Sequence, residues 1–247
     1  GMEGFHDLPG KSNGRPLATQ PSEADLLLAR LREDGVPVPP PEGGSLELNV
    51  GDLEMQEIKL WLQDLPACGQ RCWIGIGPGS KMPAKKWPEE RFEQVVRRLI
   101  HEFNVWPVIF GGAEDQAAGE RLLKLWGCGY NAAGSLSLRA AAAALKRCVL
   151  YLGNDTGTMH LAAAVGTPCV AVFSARTHPG LWYPYGVQSR VLRTRIDCEG
   201  CGLAECLERS NECLSQIHAQ EVYSAFVELL KASHSKSGDK SSITNLF

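Results

Sequence analysis

From Arg71 onward the sequence alternates short apolar runs with amphipathic stretches of helical length, and this rhythm restricts the fold more than any other feature. Residues 72–76, 105–110, 148–152, 168–173 and 190–192 read as buried strands. Residues 88–103, 114–126, 136–145, 158–165 and 219–231 read as helices. Strands that are apolar on both faces and regularly spaced by helices imply βαβ units, hence an α/β Rossmann-like parallel sheet with helices on both faces. Right-handed crossovers then bring every strand-to-helix loop to one edge, where such sheets bind ligands.

The stretch upstream is organised differently. Residues 1–21 are rich in Gly, Pro, Ser and Asn and read as a poorly ordered lead-in, with Gly1 ahead of Met2 taken as a remnant of expression. Ser22 opens a short helix that Gly35 and the prolines at 37 and 39–41 end. Leu46 and Leu48, alternating with Glu47 and Asn49, suggest a brief strand, and Met55, Ile58, Leu62 and Leu65 suggest a helix over residues 53–65. The expected organisation is a preceding segment at 1–68, too small for a second complete domain of this type, an α/β domain at 69–232, and a polar, frayed tail at 233–247.

With 44% hydrophobic and 21% charged residues, the composition is that of an ordinary globular protein. A net charge of −3 leaves no electrostatic footprint for nucleic acid. No apolar run reaches the length of a membrane span and no secretory signal is visible, so membrane association is expected to be peripheral at most. Nine cysteines, an odd number and partly placed in strands, suggest a reducing compartment, and the expected location is cytoplasmic.

The densest concentration of chemistry is Asn154-Asp155-Thr156-Gly157-Thr158-Met159-His160, which follows the run at 148–152 and starts a helix. Gly153 and Gly157 allow close approach of a bound group. The helix N-terminus offers unpaired N–H groups and a positive dipole end, suited to phosphate. The plainer alternative is that Asp155 caps a helix and His160 is a satisfied, half-buried side chain.

Three further loops should converge there. Gly77 to Pro88 combines glycines, Ser80, and Lys81, Lys85 and Lys86, with Pro88 as a first-turn helix residue. It lacks the Gly-Lys-Ser/Thr of a Walker loop. It reads as a diphosphate cradle or, more plainly, as a solvated lysine patch. In Gly111-Gly112-Ala113-Glu114-Asp115, Glu114 suits a vicinal diol, while a dipole-complementing role at a helix start suffices for Asp115. Asn131 to Leu136, with Ser135 and Leu136, can line a base pocket or simply connect.

Taken together, GPGS, AKKWPEERF, FGGAED, AAGSLSL and NDTGTMHLAAAVGTPCVAVFSARTHPGLWYPYG resemble glycosyltransferase family 9, the lipopolysaccharide heptosyltransferase family, over about residues 69–222. The resemblance implies the carboxyl-terminal, donor-binding half of a two-domain GT-B fold. It implies that Lys85 meets the donor's phosphates, Glu114 its ribose or sugar and Asp155 its sugar. Thr156, Gly157 and His160 belong to the phosphate-facing helix start. It further implies an ADP-heptose-like nucleotide-sugar donor, inverting transfer without a cofactor or metal, and action at the inner face of the cytoplasmic membrane. The family's glycolipid acceptor and catalytic base belong to its amino-terminal domain, of which residues 1–68 resemble only the end. No catalytic residue is therefore expected here, and little or no transfer; the alternative reading is a non-catalytic nucleotide-sugar-binding module.

Cys198, Cys201, Cys206 and Cys213 form a remaining constellation. Four cysteines at this spacing suit a structural metal, disulfides or free thiols in a loop.

Overall fold

The structure is a computed structural model that describes residues 16–40 and 43–236. Its centre is a six-stranded, wholly parallel sheet in the order β3-β2-β1-β4-β5-β6. The strands are β1 (Cys72–Gly77), β2 (Val105–Ile109), β3 (Tyr130–Asn131), β4 (Leu150–Asn154), β5 (Cys169–Phe173) and β6 (Ser189–Arg193). The chain winds outward from β1 to β3, then returns to the centre and winds the other way from β4 to β6. Between β1 and β4 the direction reverses, and the loops on either side diverge to leave a crevice.

Helices cover both faces. α3 (Glu89–Glu102), α4 (Gln116–Trp126) and α8 (Ala219–Lys236) lie on one, burying Phe92, Val96, Leu122 and Phe226 against Ile74, Ile76, Leu152 and Val170. α2 (Asp52–Leu62), α5 (Leu138–Lys146) and α6 (Gly157–Ala164) lie on the other, with Ile58, Ala144 and Met159 against Trp73, Trp106 and Tyr151. Alternate strand residues thus serve opposite cores, which is why the strands read as unbroken apolar runs. α2 also grips α5 by polar contacts: Glu57 accepts from Ser137 N and Oγ, and Arg139 pairs with Glu54.

α1 (Glu23–Glu33) buries no residue. Ser22 caps it, accepting from Asp25 N at 3.1 Å, and Asp25 accepts from the Tyr185 hydroxyl at 2.8 Å.

Several expectations need correction. Leu46–Leu48 is extended but joins no sheet; its one ladder-like bond runs from Leu48 N to Ala164 O. Surrounded by glycine and proline, it has no neighbouring strand to pair with. Pro88 stands at the N-cap of α3 rather than in its first turn. The helix expected from residue 114 begins as a 3-10 turn, Ala113–Asp115, before α4. β3, a 3-10 turn at Pro83–Lys85 and α7 (Glu212–Ser215) were not expected, being too short to show a period. The tail was expected to fray from residue 233, yet α8 continues to Lys236; residues 237–247, like 1–15 of the lead-in, lie outside the described residues.

Candidate functional site

The crevice at the reversal holds a cavity of about 500 Å³. Its walls are the loop after β1 (Gly79, Ser80, Lys81, Met82, Lys85), the loop after β2 (Gly111, Gly112, Glu114, Asp115) and the start of α6 (Asp155, Thr156, Gly157, Thr158). Three segments separated by some 80 residues of sequence therefore meet because parallel strands end at one edge.

Asn154, fully buried at the end of β4, ties two of them together. Its side-chain oxygen accepts from Trp87 N at 3.1 Å and its nitrogen donates to Pro78 O at 2.7 Å. Trp87 is itself buried, and its indole N–H donates to Ile217 O at 3.0 Å. Because Trp87 is held, the 3-10 turn just before it carries Lys85 to a defined place. There Lys85 Nζ meets Asp155 Oδ2 at 2.7 Å, with both side chains largely withdrawn from solvent. A cation and an anion held this way at the end of a crevice can exchange partners with a charged, hydroxyl-bearing ligand.

The glycines divide into two kinds. Tyr151, completely buried, lays its ring across the ends of β1 and β4 and bonds its hydroxyl to Thr158 Oγ1 at 2.7 Å. A Cβ at Gly77 or Gly153 would overlap that hydroxyl. At Gly79 and Gly111 the Asp115 carboxylate fills the space, and Asp115 Oδ2 accepts from Gly112 N at 3.1 Å. Gly153 is therefore required by a protein side chain, whereas its expected role was ligand approach. Only Gly157 of these faces open space, with nothing within 4 Å of its would-be Cβ.

Thr156 is the N-cap of α6, but its hydroxyl makes no capping bond; it lies 3.0 Å from Thr158 Oγ1. No side-chain cap therefore occupies the first amides of α6, and Gly157 and Thr158, which carry them, both line the cavity. Glu114 is exposed on the cavity rim, and Ser80 Oγ accepts from Met82 N at 3.1 Å.

Of the residues singled out in the sequence, Ser80, Lys85, Gly112, Glu114, Asp155, Thr156 and Gly157 line the cavity. Ser135, Leu136 and His160 do not. Ser135 is exposed and Leu136 half-buried in the connection to α5, whose first residue, Leu138, reaches the cavity instead while remaining 74% exposed. His160 sits one turn into α6 and packs edge-on against Trp182, ring centroids 6.3 Å apart. Burial lowers its pKa below the ordinary histidine value, the Asp155 charge opposes this and the Lys85 charge adds to it. His160 thus feels the ion pair from behind.

Asp115, Leu138, Tyr151 and Asn154 shape the site although the sequence reading assigns none of them a place in it. Asp115 had a sufficient explanation as a dipole partner, and in fact it wedges the glycines of two loops. A buried asparagine at a strand end directly before Asp-Thr-Gly is a signal that sequence reading can use.

The sequence profile of glycosyltransferase family 9 (heptosyltransferase) matches residues 37–211, well over half of the chain. The chain belongs to that family. Lipopolysaccharide heptosyltransferase 2 of Salmonella typhimurium is 33% identical over 145 residues, covering 56% of this chain and 40% of the relative. The enzyme of the same name from Escherichia coli is 31% identical over 169 residues, covering 65% and 47%. The solved structure of E. coli ADP-heptose lipopolysaccharide heptosyltransferase II superposes with a TM-score of 0.62 at 28% identity, over 76% of this chain and 54% of that one. The parallel sheet with helices on both faces is accordingly a fold that the chain shares with GT-B members of this family. The match spans about half the length of these relatives or less.

Proposed function

We propose that the cavity binds a nucleoside-diphosphate sugar, ADP-heptose or a close analogue, for inverting transfer to a lipopolysaccharide core or related glycan. The observation that carries this reading is the Lys85–Asp155 pair at the β1/β4 reversal. A diphosphate offers Lys85 a stronger anionic partner than one carboxylate, and the open face at Gly157 places the first amides of α6 beside it. As Lys85 turns to the phosphates, Asp155 is released to accept from sugar hydroxyls. Glu114 accepts from the ribose diol, with Ser80 and Gly112 flanking it. Ser135 and Leu136 lie beside the base end of the cleft, and Leu138 covers it.

In transfer, an acceptor hydroxyl attacks the anomeric carbon as the carbon–oxygen bond to the diphosphate breaks on the opposite face. Negative charge accumulates on the leaving phosphate. Lys85 and the α6 amides are placed to stabilise it without rearrangement at the moment of reaction, which is the main advantage of fixed dipoles over water. The hydroxyl's proton goes to a base supplied from outside residues 69–232, in the part of the family fold that also holds the glycolipid acceptor. Residues 69–232 are read as the donor domain, the described residues before them as the end of that other part, and no catalytic residue is assigned in either. The proposed setting is the cytoplasm, at the inner membrane face; among the described residues no helix is long and apolar enough to cross a membrane.

Titration calorimetry with ADP and with ADP-heptose tests the reading. Saturable binding of both is expected, abolished or weakened by Lys85→Ala. No heat from either ligand, with a folded protein, overturns it.

A further inference from the structure

Three hydroxyl groups form a line from the middle of the sheet to the crevice. Tyr151 is completely buried in β4, and its hydroxyl lies 2.7 Å from Thr158 Oγ1, which in turn lies 3.0 Å from Thr156 Oγ1. Both threonines are half-buried and line the cavity. The sheet makes room for the first of the three. Gly77 and Gly153 are paired across β1 and β4, and a Cβ on either would overlap the Tyr151 hydroxyl. Two facing glycines thus clear the space for one oxygen atom.

Counting protons gives the line a direction. A hydroxyl has one proton to donate and two lone pairs with which to accept. Burial raises the Tyr151 pKa above the ordinary phenol value, so the phenol keeps its proton. Thr158 Oγ1 is the acceptor at hand, and a buried donor left without one is costly. Having accepted, Thr158 passes its own proton to Thr156 Oγ1. Thr156 makes no capping bond, and its remaining contact, to Asn154 O, is 3.5 Å long, at the far limit of a hydrogen bond. Its proton is therefore held only weakly by the protein. The reverse order would strand the phenol proton in the apolar core that Tyr151 shares with Met159 and Phe173.

We propose that Tyr151 and Thr158 are positioning residues that make the Thr156 hydroxyl a one-way donor toward an anionic oxygen in the crevice. Under the function proposed above, on which this inference rests, that oxygen belongs to the donor's diphosphate. Thr156 touches the ligand, and the other two act through it. A threonine free to rotate could turn a lone pair to the cavity, which would repel a phosphate; the relay removes that choice. Aligned hydroxyls also polarise one another, by about 10–30% per bond, and a bond to an ionised acceptor is about twice as strong as one between neutral groups. A neutral donor suits this wall of the crevice, because Asp155 would pair with a second cation as it does with Lys85.

The order of donation can be read without a ligand. In the Raman spectrum the tyrosine doublet separates phenols that donate from phenols that accept, and the difference between the parent and Tyr151→Phe isolates this one of the five tyrosines. Tyr151 should read as a donor; a phenol that reads as an acceptor overturns the proposal. Calorimetry with ADP and with adenosine reads the consequence. Thr156→Val should lower ADP affinity roughly tenfold or more, and Tyr151→Phe or Thr158→Val about threefold. Adenosine, which has no phosphate, should bind each variant as it binds the parent. Thr158→Ser, which keeps the hydroxyl, should bind ADP like the parent. In the Thr156→Val background, Tyr151→Phe should cause no further loss. Equal losses for ADP and adenosine, or losses that add in the double variant, would assign the hydroxyls to packing and overturn the relay. A parent that binds ADP no better than these variants do would overturn the relay alone. A parent that binds no ADP overturns the donor reading and the relay's ligand together, and the Raman result distinguishes that outcome from a failure of the relay's direction.

Discussion

A side-chain carbon added at Gly77 would overlap the Tyr151 hydroxyl, whereas one added at Gly157 would meet nothing within 4 Å. Gly77 ends β1 and Gly157 begins α6 just after β4, on opposite sides of the same crevice, and they look equivalent in the sequence. They differ in what occupies the space a side chain would take. After β1 the vacancy is filled by the protein, at Gly77 by Tyr151 and at Gly79 by Asp115. At the start of α6 it is left open beside the cavity. A glycine-rich loop is thus two devices, one that lets strands and loops close on each other and one that admits a ligand, and only packing tells them apart.

The largest effect that comparison predicts is on folding. Gly77→Ala forces a completely buried ring to move, and overpacking of this kind costs about 1–3 kcal/mol, at the upper end here because Tyr151 is held by Thr158. Urea unfolding should show a clear loss of stability. Tyr151→Phe, which deletes the overlapping oxygen, should recover part of that loss in the double variant. Equal stability of Gly77→Ala and the parent would mean that the two glycines are not distinguished by packing.

Next comes binding. Lys85→Ala removes a charge-assisted contact to phosphate worth about 1.5–3 kcal/mol, or roughly tenfold or more in ADP affinity. Lys81 also lines the cavity but is exposed, whereas Lys85 is held by Asp155, so Lys81→Ala should weaken ADP less. Calorimetry that ranks the two the other way would move the phosphate site along the loop. Asp155→Asn separates the pair further. Without the carboxylate Lys85 is free before the ligand arrives, and a negative charge near the diphosphate is gone, so ADP should bind as well or better. ADP-heptose should lose the part of its affinity that its sugar contributes. Parallel weakening of both ligands would place Asp155 among the phosphate contacts instead.

Gly157→Ala is the counterpart of Gly77→Ala. Alanine at a helix position whose conformation it can adopt adds about 0.4–1 kcal/mol of stability. The methyl group then projects toward the cavity and should reduce donor affinity. A variant that is no less stable and binds less tightly is the signature expected of a ligand-facing glycine, and one that binds unchanged would return Gly157 to the ordinary helix start.

How much of this is legible in sequence depends on range. The parallel sheet is readable because each strand and helix carries its own period, and the crevice follows from the topology that period implies. Lys85, Glu114 and Asp155 are visible as ionisable residues in loops that must converge. Tyr151 and Asp115 are not, since their task is to fill the space of glycines 74 and 36 positions away in the chain, and no local pattern encodes that. β3 is two residues long and fixed by its neighbour β2. Leu46–Leu48 has the right alternation and fails for want of a partner strand, a tertiary fact. Ser135 and Leu136 fall three and two residues short of Leu138, because the connection to α5 has no period from which to judge which side chain reaches the cavity.

The smallest expected effect concerns His160, and its sign follows from burial. In the folded protein the imidazole is held below its ordinary pKa, mainly because its charged form loses hydration. The unfolded chain therefore binds more protons than the folded one in the window between the depressed folded value and the ordinary value near 6.5. Stability contributed by this group is complete above that window and is lost as pH falls through it. His160→Gln should flatten the slope of stability against pH in that interval while leaving stability at pH 8 little changed. Because Lys85 depresses the His160 pKa and Asp155 raises it, diphosphate binding should also register there: anionic phosphate drawn to Lys85 cancels its repulsion and favours protonation. An upward shift of the His160 resonance titration on adding ADP, seen by NMR, would report the ligand from the far side of α6. A titration curve that ADP leaves in place would separate His160 from the crevice altogether.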